Sequence, residues 1–306
     1  MRNELKKILQ ELYRENSKLI AVVVDSGTEE LDDIREMYPD RIIEAGISEC
    51  NAVGVAAGIA ASGGLPVLYG MAPFLIYRAF EFIRDDVCLQ NLKVIIIGSG
   101  AGIIYNNLGP THHATEDIAV MNVLPNMKIL SVASPKEVAP IMRCAIEMDG
   151  PVYIRFGKAW EEEIYEGDPI FKYGVVTELE QGDDITIIST GSIISSVLRA
   201  GKMLKETGYS AQIINISTVK PIDEYGILCA AQKTHKVLVV EEHSKMGGLA
   251  SIISMVLLKA QIPVRFEHMG FDNSFCKEYG WYQDIKKLCG LGEIDIYNKA
   301  VKLIEG

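Results

Sequence analysis

The sequence has no long hydrophobic run, which excludes a membrane-spanning helix. Its longest apolar stretch, about 52–61, contains two glycines and is far shorter than the ~18 residues that a spanning helix needs. The N-terminal segment MRNELKKILQELYREN is charged throughout and lacks the apolar core of a signal peptide. It predicts an amphipathic helix instead, and we expect a cytoplasmic chain with no membrane partner.

Cysteine is sparse and scattered. No CxxC pair occurs, and neither cysteine nor histidine has the spacing of zinc ligands, so a structural zinc site is not expected. We predict reduced, mostly buried thiols, as in cytoplasmic proteins. The six cysteines are Cys50, Cys88, Cys144, Cys229, Cys276 and Cys289.

Basic residues are outnumbered by acidic ones, 30 to 41, which gives a net charge of −11. A general nucleic-acid binder needs clustered Lys and Arg, so this class is excluded. The hydrophobic fraction of 48% is too high for a disordered chain. With 306 residues, the chain is long enough for about two domains.

Short Val/Ile-rich runs alternate with helical patterns along the whole chain. This alternation predicts an α/β fold of two domains with mainly parallel sheets covered on both faces. The predicted strands are 19–24, 41–44, 66–69, 93–97, 128–132, 151–155, 185–189, 211–214, 236–240 and 264–266. The main predicted helices are 48–62, 73–90, 135–148, 192–207 and 248–260.

The predicted domains are 1–160 and 185–306. Between them, 161–184 is polar and acidic and contains Pro and Gly, which is the composition of a linker with one β-hairpin. A glycine-rich turn follows the strand at 93–97, but its spacing is GxGxG rather than GxGxxG and no helix pattern follows. We therefore expect a loop that closely approaches another part of the protein, not a dinucleotide site.

Three segments carry residues suited to chemistry. In EAGISECNAVG, Glu49 lies in the first turn of a predicted helix, where an acid is stabilised by the helix dipole even without a further role. In YGMAPFLIYRAF, Met71, Phe74 and Tyr77 recur every three residues, which predicts a shared helical face that either packs in the core or supports a flat ring.

The third segment is LGPTHHATED. His112 and His113 are adjacent in a Gly-Pro turn at a strand's carboxyl end. A surface loop would explain this placement. The near-neutral pKa of histidine and the binding of ligands at this edge of open α/β sheets also make the pair a candidate for proton transfer.

Together, the order and spacing of GISEC, PFLIYRAF and GPTHH resemble the pyrimidine-binding domain of the transketolase family of thiamine diphosphate enzymes. The segments GDDITIISTGS, STVKPID and VVEEHSKMGGLAS resemble that family's C-terminal domain, so the resemblance covers the whole chain. It implies a transferase that moves a two-carbon ketol unit from a ketose or ketose phosphate to an aldose through the cofactor's ylide.

The family's diphosphate-binding domain carries a GDG motif, and this sequence has none. The resemblance therefore implies a split enzyme. A separate N-terminal subunit would carry the GDG motif and supply the ligands of Mg²⁺, so no metal ligand is expected in this chain. We expect an α2β2 heterotetramer with thiamine diphosphate at the interface.

The resemblance also implies roles for single residues. Glu49 matches the glutamate that hydrogen-bonds the aminopyrimidine N1′ and favours its imino tautomer. Phe74 matches the ring that stacks on the pyrimidine, with Met71 and Tyr77 beside it. The other matches are Asp25, as an acid near the cofactor, and His112, as a residue that assists proton transfer at the substrate.

Three positions depart from the family pattern. Gly100 and Leu108 stand where many transketolases have His and Asp, and Lys158 stands where they have a phosphate-binding Arg. A lysine binds an anion as a point charge, without bidentate geometry. Loss of two polar groups weakens recognition of a polyol, so His113 and the neighbouring asparagines would supply different substrate contacts.

Two alternatives remain open at the level of the sequence. One is a 2-oxo acid-using relative, of the deoxyxylulose-phosphate synthase type or the β subunit of a 2-oxo acid dehydrogenase. The other is a non-catalytic regulatory subunit that kept the fold. GPTHH favours a transketolase, and the joint presence of Glu49, Phe74 and His112 favours catalysis.

Overall fold

A computed structural model describes residues 1–24, 29–158 and 161–306. The chain divides into two compact units, which are described separately. Unit 1 comprises 1–101 and 120–171, and unit 2 comprises 102–119 and 172–306. Among the described residues, no helix is both long enough and apolar enough to cross a membrane.

Unit 1 is built on a parallel sheet. Its strands are β1 (Leu19–Val23), β2 (Ile42–Glu44), β3 (Leu65–Met71), β4 (Ile95–Ser99), β5 (Lys128–Ser131) and β6 (Val152–Phe156). Within the unit their order is β5-β6-β4-β3-β1-β2, and each neighbouring pair is parallel. Except in the edge strand β2, the strands carry mostly buried side chains, as the continuous apolar runs predict for a sheet covered by helices.

The helices up to residue 147 are α1 (Arg2–Glu15), α2 (Asp32–Met37), α3 (Glu49–Ala61), α4 (Phe80–Phe82), α5 (Asp117–Asn122) and α6 (Val138–Glu147). The predicted amphipathic N-terminal helix is confirmed by α1. Its buried face consists of Leu5, Ile8, Leu9, Leu12 and Tyr13.

The prediction of one continuous α-helix over 73–90 is wrong, because most of this segment is π-helical. Two π-helical stretches, Phe74–Arg78 and Ile83–Leu89, flank the short α4. The shared face of Met71, Phe74 and Tyr77 is wrong for the same reason, and also because Met71 closes strand β3. A π-turn inserts a residue and shifts the later side chains around the axis, a feature found often at functional sites.

Unit 2 has a second sheet. Its strands are β7 (Thr177–Glu180), β8 (Ile185–Ser189), β9 (Ala211–Asn215), β10 (Thr218–Lys220), β11 (Lys236–Ser244) and β12 (Arg265–Phe271). Five of them form a sheet in the order β12-β11-β8-β9-β7. The helices are α7 (Ile194–Glu206), α8 (Glu224–Thr234), α9 (Leu249–Ala260), α10 (Tyr282–Leu288) and α11 (Glu293–Glu305).

All ten predicted strands are present. The hairpin expected in 161–184 is not what the chain forms there. The described part of that segment contributes β7, which pairs antiparallel with β9, across a sequence separation that no hairpin turn could span. The polar composition of the segment indicates that it is exposed, but it does not indicate which strand β7 pairs with.

Segment 102–119, which contains GPTHH, is held in unit 2 by hydrogen bonds of its backbone groups. The Ser244 N–H donates to the Thr115 carbonyl at 2.6 Å, and the Ala119 N–H donates to His243 Nε2 at 3.3 Å. The domain limits 1–160 and 185–306 remain predictions. They rest on the sequence pattern, whereas the two units are defined by which residues pack together.

Candidate functional site

Glu49 is the first residue of α3. Strand β2 ends at Glu44, and the chain then turns at Gly46, whose φ of +67° is one that glycine adopts without strain. Strand β2 lies beside β1, and both are parallel to β3, so the turn before α3 follows the carboxyl edge of the sheet, where open α/β sheets bind ligands. The Glu49 side chain is only 7% exposed.

Phe74 and Glu49 are brought together by a residue that the sequence analysis did not single out. Arg78 Nη1 donates to Glu49 Oε1 at 3.0 Å. The guanidinium carbon of Arg78 lies 4.3 Å above the centre of the Phe74 ring. A buried carboxylate and an aromatic face therefore hold a flat, nitrogen-rich cation between them.

For two other predicted cofactor residues, the structure gives a position and a degree of burial. Met71 and Tyr77 are half-buried, at the end of β3 and within the first π-helical stretch. Asp25 lies outside the described residues. Among those that are described, no group of three or more His, Cys, Asp or Glu side chains could hold a metal ion.

His112 and His113 belong to unit 2, whereas Glu49 and Phe74 belong to unit 1. Their turn forms a short 3-10 helix, Pro110–His112. His112 is half-buried, its Nδ1 lies 2.9 Å from Thr111 Oγ1, and its ring meets the Tyr105 ring edge-on at 6.4 Å. This placement leaves part of the His112 imidazole accessible.

His113 is buried, with 4% exposure, and neither ring nitrogen has a hydrogen-bond partner among the described residues. Burial, reinforced by the neighbouring His112, lowers the pKa of His113 to about 4, and the Tyr105 backbone opposes this shift. His113 is therefore neutral at physiological pH. Two unsatisfied buried nitrogens are costly, so their retention suits a functional contact.

The buried state of His113 predicts an acid-sensitive fold. The pKa of His113 is about 4 in the folded chain and near 6.5 when unfolded, so its contribution is fully present above pH 6.5 and is lost as pH falls towards 4. Between pH 7 and pH 5 this loss amounts to roughly 2 kcal/mol. Urea unfolding at both pH values should therefore show a smaller pH-dependent loss for His113→Gln than for the wild type.

The exposed His235 supplies the matched control. It ends α8 in the left-handed region, which asparagine also adopts readily, so His235→Asn should keep the wild-type pH dependence. Equal pH dependence in wild type and His113→Gln would contradict the buried, neutral state of His113.

The loop that carries GPTHH is fitted closely to the rest of unit 2. A Cβ added at Gly102, whose φ is +63°, would clash with the Glu242 carboxylate. One added at Gly109, with a φ of +77°, would clash with the Tyr279 ring. Asn106 Nδ2 also donates to the Gly280 carbonyl at 2.7 Å. The expectation that the glycine-rich turn closely approaches another part of the protein is thus confirmed.

Lys158 follows strand β6 in unit 1. Its backbone N–H donates to Glu161 Oε1 at 2.5 Å. Burial lowers the pKa of the Lys158 amine, as does nearby Arg2, while Glu30 and Glu161 oppose the shift. Arg2 is paired with Glu30, and Glu161 lies beside Lys158, so acidic neighbours already offset part of the positive charge there. Strands β4 and β3 separate β6 from β1, so Lys158 and Glu49 follow different parts of the sheet edge.

A family model for the transketolase pyrimidine-binding domain matches residues 1–160. The chain belongs to the transketolase family. The model for the transketolase C-terminal domain matches 174–280. The sequence prediction of this family, and of a two-domain α/β fold with mainly parallel sheets, is therefore confirmed.

Relatives of about the same length are separate transketolase subunits. The chain is 36% identical to an apulose-4-phosphate transketolase subunit of Phocaeicola vulgatus, across 84% of this chain and 83% of that protein. A solved structure described as a split-gene transketolase in an inactive β4 tetramer matches with a TM-score of 0.87 and 33% identity. It aligns with 99% of this chain and 97% of that one. The transketolase chain is thus a transferase subunit of the split type.

Some relatives are longer. The chain is 32% identical to 1-deoxy-D-xylulose-5-phosphate synthase 1 of Geobacter sulfurreducens, across 88% of this chain but only 43% of that protein. The matched part of the synthase corresponds to both units of the transketolase subunit. This similarity keeps the 2-oxo acid alternative in view.

Two parts of the site had no clear sequence signal. Arg78 lies four residues after Phe74, a spacing that allows contact, but a single arginine on an amphipathic pattern is ordinary. The supports of the GPTHH loop, Glu242 and Tyr279, are more than 120 residues away from it in the chain. Only the requirement for glycine at Gly102 and Gly109 hinted at close neighbours.

Proposed function

We propose that this chain is the C-terminal subunit of a thiamine diphosphate-dependent enzyme that transfers a two-carbon ketol unit from a ketose or ketose phosphate to an aldose. The observation that carries the proposal is the buried carboxylate of Glu49, linked to the Phe74 ring through Arg78, in a chain of the transketolase family. The relative from Phocaeicola vulgatus acts on a ketose phosphate by name, which supports this substrate class.

The residues around Glu49 fit the aminopyrimidine half of the cofactor. They already accommodate a flat group that offers N–H donors to the carboxylate and a face to the aromatic ring, namely the Arg78 guanidinium. Thiamine diphosphate, when bound, supplies a carbanion sink. Glu49 would hold the aminopyrimidine N1′ by a hydrogen bond, and Phe74, with Met71 and Tyr77 nearby, would support the ring.

The histidines would act on the substrate. His112 is partly accessible and would pass a proton to or from the substrate carbonyl or hydroxyl oxygen. His113, held neutral by burial, would act as a hydrogen-bond donor or acceptor without titrating. Lys158 would attract a substrate phosphate as a point charge.

A second subunit completes the enzyme in this proposal. It would carry the GDG motif and hold the diphosphate and Mg²⁺, in a cytoplasmic α2β2 heterotetramer. The β4 tetramer of the related split transketolase is described as inactive, which supports the need for a partner. Light scattering of the co-purified pair would test this stoichiometry.

The experiment that tests the reaction is a panel of donors. The chain is co-expressed with a GDG-bearing partner, and the complex is supplied with thiamine diphosphate and Mg²⁺. We expect consumption of a ketose or ketose phosphate with release of the shortened aldehyde and no carbon dioxide. Release of carbon dioxide from pyruvate, with no turnover of ketoses, would contradict ketol transfer.

Decarboxylation is the second candidate. Leu108 and Gly100 lack the polar groups with which many transketolases bind a sugar, and the similarity to deoxyxylulose-phosphate synthases covers both units. In this case pyruvate would be consumed, with an aldehyde as acceptor. The donor panel separates the two candidates directly.

A further inference from the structure

Arg78 is placed to satisfy two partners at once. Its guanidinium edge donates to Glu49, and its face covers the Phe74 ring. The carboxylate and the arginine differ greatly in exposure: the Glu49 side chain is 7% exposed, while that of Arg78 is 51% exposed. Arg78 therefore reaches from solvent over a carboxylate that is otherwise secluded.

An aminopyrimidine would use the same two partners, with its face stacked on Phe74 and a proton shared between its N1′ and Glu49. Like a guanidinium, this ring is planar, presents N–H and N groups along its edge and offers a flat face for stacking. A single Phe74 face and a single Glu49 oxygen cannot serve both groups in the same way at the same time. Simultaneous occupation would need a different Arg78 rotamer.

We propose that Arg78 is an internal competitor of the cofactor, occupying the aminopyrimidine position on Phe74 and Glu49 until the cofactor displaces it. This inference rests on the proposed function, because it assigns the class of ligand that Glu49 and Phe74 bind. Arg78 is not a catalytic residue. Its role is to neutralise the Glu49 carboxylate before the cofactor binds. The free energy needed to displace Arg78 lowers the apparent affinity for the cofactor.

The local structure makes this exchange feasible. Arg78 is the last residue of the π-helical stretch Phe74–Arg78, and its side chain is half-exposed, whereas Leu75 and Ile76 are buried, so the exchange would move Arg78 towards solvent. A buried carboxylate without a partner is costly, and the Arg78 cation offsets that cost at Glu49. The cofactor would then restore the lost hydrogen bond to Glu49.

The test is equilibrium binding of thiamine diphosphate, with Mg²⁺, to the assembled complex by calorimetry. Arg78→Ala removes the competitor and should tighten binding about fivefold to tenfold, the value of a half-exposed ion pair plus a cation–π contact. Arg78→Lys keeps the charge but loses the flat face, so its affinity should lie between those of Arg78→Ala and the wild type. The matched control is Arg84→Ala, which removes an exposed arginine paired with Asp85 and should leave affinity unchanged.

Equal or weaker binding by Arg78→Ala than by the wild type would overturn the competitor role. Phe74→Ala and Glu49→Ala distinguish this failure from failure of the proposed function. If those two variants bind thiamine diphosphate as well as the wild type does, the pyrimidine site lies elsewhere, and both the proposed function of Glu49 and the role of Arg78 fall. Circular dichroism of each complex verifies that the variants are folded.

Discussion

Replacing Glu49 with Gln in the assembled complex lowers the rate of ketol transfer by a factor on the order of 10² to 10⁴. Glutamine is nearly the same size and still forms hydrogen bonds, so packing at the start of α3 is preserved. It can neither carry the negative charge nor exchange the proton that the proposed hydrogen bond to the cofactor requires. The measurement is the initial rate of aldehyde release from the donor identified in the panel.

Glu44→Gln is the matched control for this experiment. Glu44 also lies in unit 1, a few residues before Glu49, but it is 51% exposed and bonded to Arg35 at 2.6 Å. Its replacement should leave the rate within about twofold, because exposed ion pairs contribute little. An unchanged rate in Glu49→Gln would support the non-catalytic alternative for this chain.

Replacing Glu241 with Ala destabilises unit 2 by about 3 kcal/mol or more. Glu241 is completely buried and accepts the N–H groups of Leu249 and Ala250 at 2.7 and 2.9 Å, which caps the N-terminus of α9. His268 Nε2 lies 3.0 Å from Glu241 Oε1, the oxygen that also accepts the Ala250 N–H. Burial alone would raise the pKa of Glu241, but these neighbours together hold it below the usual range.

The measurement is the thermal midpoint of unfolding, which should fall by about 10 °C in Glu241→Ala. Glu267→Ala on the adjacent strand β12 provides the control, since Glu267 is 44% exposed and forms an exposed pair with Lys299 at 2.7 Å. It should shift the midpoint by only a few degrees. Equal shifts in the two variants would show that Glu241 is not an essential cap.

The alternation of strands and helices could be predicted because it depends on local sequence. Continuous apolar runs such as those of β3 and β4 are buried on both faces, so composition alone identifies them. The turn at Gly46 and the start of α3 also follow from nearby residues. This local determinism explains why the position of Glu49 in the first helical turn was predicted correctly.

The neighbours of Phe74 are harder to predict from the sequence, because they depend on whether the segment forms an α-helix or a π-helix. A three-residue spacing of Met71, Phe74 and Tyr77 predicts an α-helical face, but a π-turn and a strand end change which side chains are neighbours. Periodicity cannot detect a single inserted residue per turn. The ion pair of Arg78 with Glu49 joins this segment to α3 and depends on tertiary packing, which periodicity does not predict.

Contacts between residues far apart in the chain are the second feature that the sequence did not predict. Strand β7 pairs with β9 rather than within a hairpin, and the GPTHH loop packs against Tyr279 near the far end of the chain. Such contacts depend on tertiary packing, which neither hydrophobic periodicity nor turn residues encode. The resemblance to transketolases supplied the site residues, whose roles remain proposals.

The most direct test of the central claim is equilibrium binding of thiamine diphosphate with Mg²⁺ to three preparations: this chain alone, the GDG-bearing partner alone and their complex. If this chain supplies only the pyrimidine half of the site, the complex binds the cofactor at least about a hundredfold more tightly than either component alone, and Glu49→Ala in this chain weakens binding by the complex. If the partner alone binds as tightly as the complex, and Glu49→Ala has no effect, the account is contradicted.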